Sequence, residues 1–106
     1  MMKVELVSAG PPERRIVLDS LPAMIGRDDS ADICLGDSWV GWYQCILDDD
    51  DGPLRVLDLG TKTGTFVNGT HIRTATLMPG DRLTVGRTTL LVRCERCLND
   101  LEEHHR

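Results

Sequence analysis

Several groups of residues in this chain have types and spacings that bear on chemistry. Cys94-Glu95-Arg96-Cys97 has the spacing of half a zinc site, and His104-His105 follows within reach. Zinc usually takes a second such pair, or histidines roughly three to five residues apart, and adjacent histidine side chains diverge. Cys94 and Cys97 are therefore candidate ligands without a complete site, and no cofactor is expected. A redox role needs the first cysteine at a helix N-terminus after a strand-to-helix step, whereas Cys94 ends a strand-like run. Asp48 to Asp51 sets four carboxylates side by side, which reads as a solvated hairpin tip, because calcium needs ligands converging at fixed intervals. Gly60 to Gly64 is too poor in glycine to cradle a phosphate and lacks the following helix. His71 follows a hairpin turn with no nucleophile that sequence places beside it. Nothing in the chain asks for catalysis.

What remains is suited to binding. Arg27 and Lys62 can meet an anion, and Lys62 is flanked by the hydroxyls of Thr61 and Thr63. Trp39, Trp42 and Tyr43 are three of the four aromatic residues, held within five positions. Large rings in an exposed loop are favoured anchors for protein contact, because they bury much area at low entropic cost. The alternative is that Trp39 and Trp42 fold inward over Phe66 or Leu59. Likewise Arg27 is either an anion ligand or a brace paired with Asp28, Asp29 or Asp37, and Lys62 is either a ligand or a solvated loop lysine.

The elements that must position these residues read as strands. Lys3 to Val7, Arg14 to Leu18, Ile33 to Leu35, Tyr43 to Leu47, Leu54 to Leu59, Thr65 to Val67, Arg82 to Val85 and Thr88 to Val92 are short and rich in apolar or β-branched residues. Breakers separate them. Asn68-Gly69 is the favoured pair for a two-residue hairpin with positive φ at both positions. Gly10-Pro11-Pro12, Asp51-Gly52-Pro53, Met78-Pro79-Gly80 and Gly86-Arg87 mark further loops and turns. Only the tail, through Cys97, Leu98 and Leu101, carries a helical spacing. Many short strands with frequent turns predict an antiparallel sandwich or barrel. In antiparallel succession the loop before Tyr43 and the loop after Leu59 emerge at one end, and Asp48 to Asp51 at the other.

Composition agrees with a binding domain. The chain has 106 residues, enough for one self-sufficient core, and 12 Lys+Arg against 17 Asp+Glu give a net charge of −5. That balance disfavours nucleic acid as a partner, since phosphate neutralisation needs a basic face. No run approaches the ~18 consecutive apolar residues of a membrane span, and no secretory signal is read at the start. The expectation is a cytoplasmic protein with reduced thiols.

Three segments together resemble the forkhead-associated (FHA) family. Met24-Ile25-Gly26-Arg27 with Ala31 to Leu35 resembles its Gly-Arg segment. Asp37 to Leu47 falls where the family carries Ser-Arg-x-His. Leu59 to Gly69 is similar to its Ser-Thr-Asn-Gly-Thr-x-Val-Asn-Gly run, and Leu77 to Asp81 to its Leu-x-x-Gly-Asp ending. The resemblance covers about Lys3 to Arg93. It implies an all-β, two-sheet antiparallel sandwich of SMAD/FHA type with about eleven short strands over residues 1–93, followed by a tail over 94–106 with a short helix as one option. It also implies apical loops that bind phosphothreonine peptides.

That site is expected to be degenerate. Arg27 stands at the family's first arginine, but Gly41 replaces its Ser, Trp42 its Arg, Gln44 its structural His and Thr63 its peptide-holding Asn. A phosphate dianion needs several charge-assisted donors. The candidate phosphate and peptide contacts are Arg27, Gly41, Trp42, Thr61, Lys62 and Thr63. Trp39, Trp42 and Tyr43 form the candidate aromatic surface, and Gln44 a loop-to-loop brace. The expected partner is a protein, with a phosphoprotein or a second copy of this chain as alternatives.

Overall fold

The computed structural model describes residues 4–8, 13–49 and 52–94. Eleven strands lie within them: β1 Val4–Ser8, β2 Arg15–Leu18, β3 Ala23–Gly26, β4 Ile33–Cys34, β5 Cys45–Asp48, β6 Arg55–Asp58, β7 Thr65–Val67, β8 Thr70–Ile72, β9 Thr74–Thr76, β10 Arg82–Val85 and β11 Thr88–Cys94. They form two sheets, β2-β1-β11-β10-β7-β8 and β4-β3-β5-β6-β9. This is the all-β sandwich that the sequence predicts. One pairing departs from it: β3 and β4 run parallel, Ile25 opposite Ile33. The intervening loop carries the chain back to start β4 beside β3 instead of reversing it in a hairpin.

Side-chain alternation with period two explains the core. Val4 and Leu6 of β1, Leu83 and Val85 of β10, and Leu90 and Val92 of β11 all point inward and are fully buried. Opposite them, Ile25, Cys45, Leu47 and Val56 come from the second sheet. Leu83 pairs with both Leu90 and Val67, while Leu47 pairs with both Ala23 and Val56. A one-residue slip in any of these strands would turn its apolar set to solvent.

Strand direction sorts the connections into two ends. β3, β6 and β10 run toward one end, where the segments 27–32, 35–44 and 59–64 and the Gly86-Arg87 turn gather. The opposite end is closed by its own brace. Asn68 and Gly69 both have positive φ, 51° and 83°, as the hairpin requires. The Asn68 side chain accepts from Arg82 N and donates to Asp81, whose other oxygen accepts from Met78 N. Asp48 is also at this end and binds Arg55 across the β5–β6 pair at 3.0 Å. Asp50, Asp51, Cys97 and the tail with its expected helix lie outside the described residues. Among the described residues, no helix is long and apolar enough to cross a membrane.

Gly26 sets how closely segment 35–44 lies on the sheet. An ideal Cβ there would meet the Trp42 carbonyl oxygen at 2.1 Å. The approach is held by Arg27 N donating to Gly41 O and Gln44 N donating to Ile25 O. Gly26→Ala is expected to cost about 1–3 kcal/mol or more in urea unfolding, as overpacking against backbone does. Gly36→Ala, where a Cβ meets nothing within 4 Å, is expected to stay within about 0.5 kcal/mol of the parent. Equal stabilities for the two variants would contradict the docking of this segment.

Candidate functional site

The segment between β4 and β5 is irregular, and side chains anchor it at each end. Near its start, Asp37 accepts from Trp39 N at 2.8 Å, from Arg87 N at 2.6 Å and from the Thr88 hydroxyl at 2.8 Å. Burial pushes the Asp37 pKa up. The hydrogen bonds from Trp39, Thr88 and Arg87, with the Arg87 charge, outweigh it and hold the carboxyl below its ordinary value. The β10–β11 turn can press this close because residue 86 is glycine. Gly86 has φ +58°, and a Cβ there would lie 2.9 Å from both Asp37 Oδ2 and Val40 Cγ2.

At its end, Gln44 is fully buried. Its Oε1 accepts from Gly41 N at 2.7 Å, which fixes the amide orientation. Its Nε2 lies 3.0 Å from each of Thr61 Oγ1, the Gly64 carbonyl and Thr65 Oγ1, so two hydrogens serve three acceptors. Both threonine hydroxyls donate onward to Asp58 Oδ1, at 2.9 and 2.6 Å. Asp58 Oδ2 accepts from Gly60 N and Thr61 N. Desolvation raises the Asp58 pKa, but the bonds from Thr65, Thr61 and Gly60 prevail and lower it. One network thus joins segment 35–44, β6 and the 59–64 loop.

The expected binding residues come together between these loops. A groove of roughly 460 Å³ is lined by Trp39, Gly41, Trp42, Tyr43, Lys62 and Thr63, among others. The three rings face outward, with 51, 58 and 53% of Trp39, Trp42 and Tyr43 exposed; the inward packing over Phe66 or Leu59 does not occur. Arg27 stands outside the groove lining, with its guanidinium 4.3 Å from the Trp42 ring centroid. It makes no ion pair with Asp28, Asp29 or Asp37, and its Nε is buried without a partner. Arg27 is engaged with Trp42, while Lys62 lines the groove with Thr61 and Thr63.

The remaining phosphate candidates are spent on the fold. Thr61 donates to Asp58, and Thr63 donates to the Trp39 carbonyl at 3.0 Å. Gly41 uses its N–H on Gln44 and its carbonyl on Arg27 N. A Cβ at Gly41 would meet Thr61 Cγ2 at 2.9 Å, so a serine cannot simply be added there. Among the described residues, the two indole N–H groups, the Tyr43 hydroxyl and the Lys62 ammonium have no internal hydrogen-bond partner. What the site offers a ligand is rings and separate cations.

Sequence reasoning missed Arg87, whose guanidinium lies 5.1 Å from the Trp39 ring centroid. Strand parity would have located it, since the Gly86-Arg87 turn follows a strand running to the same end. It also missed Asp58 as the hub of the loop network. His71 lines a second cleft, of about 500 Å³, with Asp58, Gly60, Thr61, Ile72 and Arg73. Its ring packs on Phe66 at 5.2 Å, and its Nε2 sits 2.8 Å from where a Cβ at Gly64 would be. Cys34 and Cys45 are free thiols. Burial, then the Asp58 charge, pushes the Cys45 pKa up to about 12, against a smaller opposing effect of a hydrogen bond with Thr65, so this thiol stays protonated. Among the described residues, no cluster of three or more His, Cys, Asp or Glu can hold a metal ion.

The sequence model of the FHA domain matches residues 23–86, which spans the site except for Arg87 and Thr88. Glycogen accumulation regulator GarA of Mycolicibacterium smegmatis is 31% identical over 81% of this chain and 55% of its own length. The oxoglutarate dehydrogenase inhibitor of Corynebacterium diphtheriae is likewise 31% identical, over 81% of this chain and 61% of its own. The chain thus spans only 55–61% of the length of these two curated relatives. A solved FHA domain from work on phosphothreonine-dependent FHA domain interactions superposes with a TM-score of 0.80 at 26% identity, covering 86% of this chain and 95% of that one.

Two measurements test the network. Gln44→Leu keeps the volume and strands buried polar groups on both loops, so it is expected to cost about 1–3 kcal/mol in urea unfolding. Asp58 has a lowered folded-state pKa, so its contribution is present above the ordinary carboxylate value of about 3.9 and is lost as pH falls through the folded value. Asp58→Asn is expected to be less stable than the parent at pH 7, with the gap closing below about pH 4. A gap that persists unchanged at about pH 2.5 would show that the ionised carboxylate is not what the network uses.

Proposed function

The chain belongs to the FHA domain family, and on that premise we propose that it is a non-enzymatic protein-interaction module whose apical loops meet a partner with little dependence on phosphothreonine. The observation that carries this reading is the fate of the donors around the groove. The hydroxyls of Thr61 and Thr63 and the N–H of Gly41 are committed to the loops, and Arg27 is stacked on Trp42 outside the groove lining. A dianion must exchange strong hydration for several converging charge-assisted bonds. Each such bond contributes roughly 1.5–3 kcal/mol, so missing two weakens binding by about a hundred- to ten-thousandfold. The exposed rings of Trp39, Trp42 and Tyr43 supply area for contact in their place.

The names of two relatives, a regulator and an inhibitor, support this reading. One curated relative is an inhibitor of oxoglutarate dehydrogenase and another a regulator of glycogen accumulation. By analogy, this domain acts by occupying a partner protein, in the cytoplasm and without chemistry of its own. Residues 1–93 form the binding domain in this reading, and 94–106 a tail. The net charge of −5 disfavours nucleic acid as that partner.

Titration of one peptide pool in phosphorylated and unphosphorylated form, followed by tryptophan fluorescence, tests the proposal. The two pools are expected to bind within about tenfold of each other. A preference for the phosphorylated pool above a hundredfold, abolished by Arg27→Ala, would restore ordinary phosphothreonine recognition.

A further inference from the structure

We propose that the apical surface around the groove selects a partner segment bearing unphosphorylated carboxylates, read by two arginine–tryptophan stacks, Arg27 on Trp42 and Arg87 on Trp39, whose rings line the groove while the arginines lie outside its lining. This inference rests on the protein-binding reading above and adds the chemistry of the partner. Each guanidinium lies over a different ring, at 4.3 and 5.1 Å from its centroid, and each comes from a different element, the end of β3 and the β10–β11 turn. Stacking limits the rotamers of a guanidinium and holds its donors in a fixed plane; for Arg27, whose Nε is buried, the terminal amino groups are the donors left for a ligand. One fork matches one carboxylate, two donors to two oxygens. A phosphate dianion needs several donors aimed at one point, whereas here Arg27 and Arg87 each lie over a different ring.

Among the described residues, neighbouring acids make no direct ion pair with Arg27, Arg87 or Lys62. The Asp37 carboxylate, nearest to Arg87, is taken up by three internal donors, and Asp28 by Ser30. Lys62 lines the same groove as the rings and adds a third, unstacked point of attraction. The partner that fits is a segment carrying more than one carboxylate, with apolar residues for the Trp39, Trp42 and Tyr43 rings.

The chain has two tryptophans, and both line the groove, so intrinsic fluorescence reports on this site alone. The probes are three synthetic peptides of about eight residues: one with Glu at alternate positions, its Gln counterpart, and the Gln counterpart with one phosphothreonine. The Glu peptide is expected to bind the full chain at least about tenfold more tightly than the Gln peptide, and to weaken as salt is raised. Arg87→Gln is expected to weaken the Glu peptide about fivefold or more while the chain stays folded, as a cooperative urea transition checks. Arg87→Lys, which keeps the charge but loses the planar fork, is expected to fall between. Equal binding of Glu and Gln peptides, or an Arg87→Gln chain that binds as the parent does, overturns this inference and leaves the protein-binding reading standing. Binding of the phosphothreonine peptide a hundredfold more tightly than its Gln parent overturns that reading as well.

Discussion

The site depends on one buried amide. Gln44 lies within the sandwich without solvent contact, and a polar group there is tolerated only when its hydrogen-bonding capacity is met. Gln44 meets it by reaching residues far apart in sequence: Gly41 on its own segment, then Thr61, Gly64 and Thr65 on the other. The two threonine hydroxyls accept from Gln44 and donate to Asp58, so both their lone pairs and their protons are committed. This gives the loops one relative position, because moving either loop would strand several buried groups together. It also makes the apical surface a consequence of the core: the rings sit where they do because the backbone beneath them is tied at Gln44 and Asp37.

The same economy explains why the groove is poor in phosphate donors. Hydroxyls and amides that could face a ligand are turned inward to hold the loops. Thr63 binds the Trp39 carbonyl and Thr61 the Asp58 carboxylate. The Thr61 methyl fills the space beside Gly41 that any side chain at that position would need. Since the Thr61 hydroxyl is fixed by Asp58, Gln44 and Gly64 N, rotating the methyl away breaks three contacts. Restoring a hydroxyl at residue 41 is therefore coupled to changing Thr61, and the two positions act as one unit.

Much of the fold was legible in the sequence, and the site only in part. Strands with clean alternation, such as Arg82–Val85, could be read because one face is buried and the period is two. β3, β8 and β9 could not be read from periodicity. Ala23–Gly26 ends in a glycine and carries little β-branching, while Thr70–Ile72 and Thr74–Thr76 are mostly exposed and too short to show a pattern. The gathering of loops 35–44 and 59–64 followed from strand parity. The outward turn of Trp39 and Trp42 did not, because alternation fixes side-chain direction only inside a strand and this segment is irregular. Gly86-Arg87 read only as a turn; strand parity places that turn at the apical end, and the close contact of Gly86 with Asp37 and Val40 shows how tightly it packs there.

Replacing a cation by a ring beside Arg27 changes what that arginine can do. A second guanidinium there would repel it and would be stable mainly when an anion lies between the two, which is how converging cations favour a dianion. Trp42 instead attracts Arg27 through the negative face of its ring, an effect worth about 0.5–1 kcal/mol at an exposed position. The arginine then rests on protein in the absence of ligand. A ligand gains only from the edge of the guanidinium, so the binding energy available to any anion is smaller and less dependent on its charge. The lost contacts must come from area, and the half-exposed rings beside the groove are where this surface supplies it. Phosphate dependence falls for the same reason that aromatic contact rises, since one substitution produces both.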